Sequence, residues 1–158
     1  MIVTNVQSGC KIVLQSTHAL LAGYLAEQLA FDEKPPFWFE TKVAIAEHDD
    51  SKMECKAGRR EYLTDAGLPR DFTLVESTAD QILIETRRRL ENAYRKHRWM
   101  GLLQSMHVET LYGKSQVDNE MRKLLKVEQE HRTQVLRDLK ESDSTLRMTY
   151  DWMHWCDR

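Results

Sequence analysis

Cysteine is scarce in this chain, and its placement is uninformative for metal or disulfide chemistry. Cys10, Cys55 and Cys156 are widely spaced and none forms a CxxC pair, which argues against a thiolate metal site and against a disulfide framework. An odd count of unpaired thiols leads us to expect a reducing, cytoplasmic setting. The opening MIVTNVQSGCKIVLQ has no basic segment followed by an apolar run, so no signal peptide is expected. No apolar stretch approaches the roughly 18 residues of a membrane span, so no membrane association is expected. Three prolines and six glycines in 158 residues exclude collagenous and low-complexity chains. Excess charge of one sign is missing too: 23 basic against 25 acidic side chains give no global pull toward nucleic acid or anionic lipid.

The composition that remains, 41% hydrophobic and 30% charged, suits one globular domain over residues 1–158. Ile2 to Val6 and Lys11 to Gln15 are short β-branched runs around Gln-Ser-Gly, which predicts an N-terminal hairpin within residues 1–15. The rest, 16–158, reads as a helical bundle. A first helix, capped by Ser16 or Thr17 and running to about Phe31, is apolar over most of its circumference and is expected to be central. The Pro pair at 35–36 opens a second helix from about Phe37 to Asp50. From Ser51 to Phe72 no period holds, and Asp65-Ala66-Gly67 and Pro69 are turn signals. Thr78 with Gln81 forms a capping box for a helix through about His97. Further helices follow over about Trp99 to Leu111, about Ser115 to Glu141 and from about Ser144. The expected fold is therefore mainly α, a single helical bundle domain with a short N-terminal β-hairpin.

Four of these helices carry an ionisable group on their apolar stripe. His18 aligns with Leu21, Ala22 and Leu25; His48 and Asp49 follow Ala44 and Ile45; His107 follows Leu103; Asp157 continues Leu146, Tyr150 and Met153. An unpaired buried charge costs several kcal/mol, so such groups must be paired, neutralised or metal-bound. Four stripes meeting in one bundle suggest a shared metal site of His18, His48, Asp49, His107 and Asp157. Mixed nitrogen and oxygen ligation suits a divalent Fe, Mn, Zn or Co ion. Glu128 and His131 read as a partly exposed pair. The runs Arg87-Arg88-Arg89 and Arg95-Lys96-His97-Arg98 read as solvated helix faces rather than a nucleic-acid interface, because no aromatic stacking platform accompanies them.

The order His18, His48-Asp49, Asp157 resembles the H…HD…D signature of HD-domain metal phosphohydrolases, which are all-helical and bind one or two divalent metals. In two-metal members the Asp of the doublet bridges the ions, and further His residues hold the second; His107 lies in the matching interval. Across nearly its whole length the chain is also similar to a bacterial family of unknown function with an HDDGW motif. The matching segments are Thr17-His18-Ala19, His48-Asp49-Asp50-Ser51-Lys52, Pro69-Arg70-Asp71-Phe72-Thr73, Ser105-Met106-His107 with Leu111-Tyr112, and Cys156-Asp157-Arg158. Ser51-Lys52 replaces the usual Gly-Trp, and Lys52 falls where an HD-x-G-K variant of HD phosphodiesterases presents a Lys to phosphate.

The resemblance implies a metal-dependent phosphohydrolase acting on a phosphomonoester, nucleotide or phosphodiester. Its partner would be a phosphorylated small molecule or nucleotide. Asp49 would bind metal, Asp50 or Glu47 would accept a proton, and Lys52 would offset developing charge. Two other readings stay open: a metal- or nucleotide-binding module without turnover, and a structural helical domain that forms homo-oligomers through Trp99, Trp152 and Trp155. Only Arg158 follows Asp157, so the last helical turn is expected to fray and Asp157 to be displaced, as in a shortened chain.

Overall fold

A computed structural model describes residues 1–49 and 62–158. It opens with strands β1 (Ile2–Val6) and β2 (Gly9–Val13), paired antiparallel from Ile2 opposite Val13 to Val6 opposite Gly9. Six helices follow among the described residues: α1 (Gln15–Glu27), α2 (Trp38–Ala46), α3 (Ala79–Lys96), α4 (Arg98–Tyr112), α5 (Asn119–Leu139) and α6 (Asp143–Asp157). The expected architecture, mainly helical with one hairpin, is what is found. None of the described helices is long and apolar enough to cross a membrane.

The centre of the bundle is α4 rather than α1. Trp99, Leu102 and Leu103 are fully buried there, packed with Ile45, Leu146 and Met153. The Trp99 indole donates to Thr41 Oγ1 at 3.0 Å, which satisfies its N–H inside the core. A Trp so placed cannot belong to an exposed dimerisation face; of the three tryptophans singled out from the sequence, only Trp155 is strongly exposed, at 57%.

Helix α1 was expected to be central because leucines surround it, yet Leu20, Leu21, Tyr24 and Leu25 are exposed. Its buried face is made of small residues, Ala19, Ala22 and Ala26. That choice brings α1 against α2 at backbone range: a Cβ on Gly23 would lie 2.7 Å from Ala46 Cβ. Close approach, not apolar bulk, sets which side faces inward, and it places the N-terminal turn of α1 beside the C-terminal end of α2.

Two boundaries moved. Helix α2 ends at Ala46, four residues before the expected stop, so His48 and Asp49 stand on the turn after it. Helix α5 is capped by Asp118, whose carboxylate accepts from Met121 N at 2.7 Å, rather than by Ser115. The Thr78–Gln81 capping box forms as expected, at 3.2 and 2.9 Å.

The segment before α3 is fastened to the hairpin by Asp71. Its carboxylate accepts from Val3 N at 2.8 Å, from Thr73 N at 3.0 Å and from Thr73 Oγ1 at 2.7 Å. Phe72 N donates to Met1 O at 2.8 Å. These bonds set Ile2 and Phe72 at the rim of the cavity described next.

Candidate metal centre

His48 is placed by the way α2 ends. The last carbonyls of a helix have no partner within it, and His48 Nδ1 meets one of them, Ile45 O, at 2.7 Å. A carbonyl oxygen can only accept, so Nδ1 carries a proton and donates. The opposite nitrogen, Nε2, is thereby aimed into the bundle, where the ring is fully buried.

Three more side chains meet it. Asp157 Oδ1 lies 2.7 Å from His48 Nε2 and 3.0 Å from His18 Nε2. Asp49 Oδ2 lies 3.5 Å from His48 Nε2. His18, His48 and Asp49 offer donor atoms all within 4.8 Å of one another. Asp157 is thus held in the final turn of α6 by two imidazoles, and the expectation that it would be displaced does not hold.

The spacing and chemistry of these donors fit a divalent cation. With ligand bonds of about 2.0–2.2 Å, neighbouring donors around one ion lie about 2.9–3.5 Å apart, against the 2.7, 3.0 and 3.5 Å here. Because Nδ1 of His48 is protonated, Nε2 faces the Asp157 carboxylate with a lone pair unless a second proton or a cation lies between them. The ring therefore stands either as an imidazolium or as a metal ligand. Its Nδ1 bond to a backbone carbonyl is the outer support that orients metal-bound histidines.

Electrostatics point the same way. Burial works against a charged His48, but the hydrogen bond to Asp157 and the charge of Asp49 outweigh it and raise its pKa. Burial likewise opposes ionisation of Asp157, yet hydrogen bonds from His48 and His18 hold its carboxyl well below the usual range. Asp157 also sits at the C-terminal end of α6, where the helix dipole disfavours an anion. The cluster is built for positive charge at its centre.

His107 adjoins this group without joining it. Its ring centroid is 5.5 Å from that of His48, edge-on, and its Nδ1 is 3.5 Å from Tyr150 Oη. Burial, with the nearby charges of Arg89 and His48, pushes its pKa down to about 3, so the ring is neutral. Glu47, expected as a proton acceptor, points elsewhere. One residue before His48 is a large rotation about the chain, and its carboxylate pairs with Lys96 of α3, away from the cluster. Asp50 and Lys52 lie outside the described residues.

All of these groups except Glu47 open on one cavity of about 410 Å³. Gln15, His18, His48, Asp49, Arg89, His107 and Asp157 supply its polar wall; Ile2, Phe72, Leu111 and Tyr112 supply the apolar one. Two of these residues escaped sequence reasoning. Gln15, in the first turn of α1, donates from Nε2 to Asp49 Oδ2 at 3.2 Å and is buried. Arg89 belongs to a run read as a solvated face, but it lies on the buried side of α3 with Thr86, Leu90 and Ala93. Its guanidinium is 3.8 Å from Asp49 Oδ1. The signal for it was the 3.6-residue period, which turns Arg89 inward while Arg87 and Arg88 stay exposed.

The family described as "Protein of unknown function (DUF3891)" matches residues 1–158, and the chain belongs to that family. No curated protein and no solved structure matches the chain.

Proposed function

We propose that this chain is a metal-dependent phosphohydrolase acting on a phosphorylated small molecule or nucleotide. His18, His48, Asp49 and Asp157 would hold a divalent ion (Fe, Mn, Zn or Co), in the manner of HD-domain enzymes. The observation that carries the reading is the convergence of α1, the end of α2 and the end of α6. They bring two imidazole nitrogens and two carboxylates to one point on the wall of a cavity. Such a donor set is costly to bury without a cation, and the cavity volume of about 410 Å³ falls within the range of small-molecule sites.

A bound divalent ion supplies an activated water and polarises a phosphoryl oxygen. The chain's own groups do the rest. Gln15 fixes the Asp49 carboxylate by its 3.2 Å hydrogen bond, so that one oxygen keeps a set direction. The Ile45 carbonyl holds the His48 tautomer. His107, neutral and facing the same cavity, is placed to hold a second ion or to hydrogen-bond a substrate oxygen. Asp50 as proton acceptor and Lys52 toward phosphate belong to the proposal on sequence grounds only.

The test is hydrolysis of p-nitrophenyl phosphate and a bis-phosphodiester by protein supplied with Mn or Fe. Turnover that disappears in Asp49→Ala supports the enzyme reading. A chain that holds metal but hydrolyses neither ester is a binding module instead.

A further inference from the structure

We infer that Arg89 is the anion-gripping residue of this cavity, and that the ligand it selects is a phosphomonoester with a compact apolar group. The inference rests on the metal-site reading above and narrows its substrate class.

The first argument compares two buried arginines. Arg132 donates to Ser105 Oγ at 2.9 Å and pairs with Glu109, so its fork is engaged by groups of α4. Arg89 is equally buried, at 9% exposure, but Asp49 Oδ1 at 3.8 Å is beyond hydrogen-bond range. Asp49 therefore offsets the charge of Arg89 without docking its fork. A guanidinium recognises the oxygens of phosphate through that fork, and here it stands on the wall of the cavity that also bears the metal donors.

The second argument is charge. Asp49 and Asp157 contribute two negative charges and Arg89 one positive. A divalent ion then leaves the cavity with net positive charge, which favours an anion entering beside it. Without Arg89 the loaded site would be neutral, and a dianionic monoester would gain little over a neutral ligand.

The third is shape. Opposite the polar wall, Ile2 and Phe72 form one lip and Leu111 and Tyr112 the other. About 410 Å³ admits a phosphate and one ring-sized substituent, but not a polymer. The apolar lips suit the ester group; the metal and Arg89 suit the phosphate.

The experiment is calorimetric titration of inorganic phosphate and of phenyl phosphate into metal-loaded wild type, Arg89→Lys and Arg89→Gln, with metal content and helicity checked for each. The expected result is binding of both anions by wild type, several-fold weaker binding in Arg89→Lys, and about 10- to 100-fold weaker binding in Arg89→Gln, at unchanged metal content. Phenyl phosphate should bind more tightly than inorganic phosphate, and Phe72→Ala should remove that difference. If Arg89→Gln fails to fold or to load, the comparison of Arg89→Lys with wild type decides. Equal affinity across the Arg89 series at full metal content overturns the inference while leaving the metal site intact. Arg89-dependent phosphate binding without turnover sinks the hydrolase reading and leaves the inference standing. A wild-type chain that takes up no metal overturns both.

Discussion

Helix α4 separates two clusters of buried charge that solve the same problem differently. On one side Tyr94 donates to Glu128 at 3.2 Å, and Arg132 binds Ser105 and Glu109. Burial, then the charge of Glu128, raises the Tyr94 pKa, so the phenol stays protonated and keeps donating. Each donor there meets an acceptor within the protein. On the other side His48, His18, Asp49 and Asp157 aim acceptor atoms at a common point and line a cavity. None of the residues of the first cluster lines that cavity. A closed network stabilises or at least satisfies itself; an open cluster of acceptors calls for a cation from outside.

The comparison breaks most visibly under replacement of single members. His48→Ala should reduce bound metal to background while helicity persists, measured by elemental analysis and circular dichroism. Retained metal would mean that His48 is only a helix-end partner of Ile45. Arg132→Met should do the reverse, leaving metal content unchanged and lowering stability by about 1–3 kcal/mol in denaturant titration, because Ser105 and Glu109 lose their donor. A metal loss in Arg132→Met would join the two clusters into one.

A smaller effect should appear in pH dependence. The raised pKa of His48 means that the metal-free native state keeps a proton that the unfolded chain loses near its ordinary value. That contribution is fully present below the unfolded value and is lost as pH rises through the folded one. Metal must displace this proton, so affinity should climb with pH until His48 is neutral and then level off. Flat affinity across neutral pH would remove the imidazolium from the account.

The smallest expected change lies at the hairpin. Hydrogen bonds from Thr73 and then Val3 hold the Asp71 carboxyl below its usual range. Its contribution is therefore present above the unfolded value and lost as pH falls through the folded one. Asp71→Asn should flatten that acid limb slightly and loosen Ile2 and Phe72, seen as faster amide exchange of Val3, with metal content untouched.

Much of this was legible in the chain, for reasons that differ by residue. The stripes ending in Leu103–His107 and Met153–Asp157 point inward as the helical period requires. The Thr78 capping box and the hairpin register are local, and local rules found them. What failed was inference from bulk. The leucines of α1 suggested a central helix, but packing chose its alanines because Gly23 and Ala46 allow a closer approach. Glu128, read as partly exposed, is buried because Tyr94 supplies its partner from another helix. Arg89 and Gln15 were invisible for the same reason: their meaning comes from Asp49, distant in sequence and adjacent in space.

The central claim is that the His–Asp cluster is a metal site, and elemental analysis of wild-type protein purified without chelator tests it most directly. The account predicts at least one equivalent of a transition metal per chain, lost in His48→Ala and retained in Arg132→Met. Background metal in the wild type, even after incubation with Mn, Fe, Zn and Co, would contradict it.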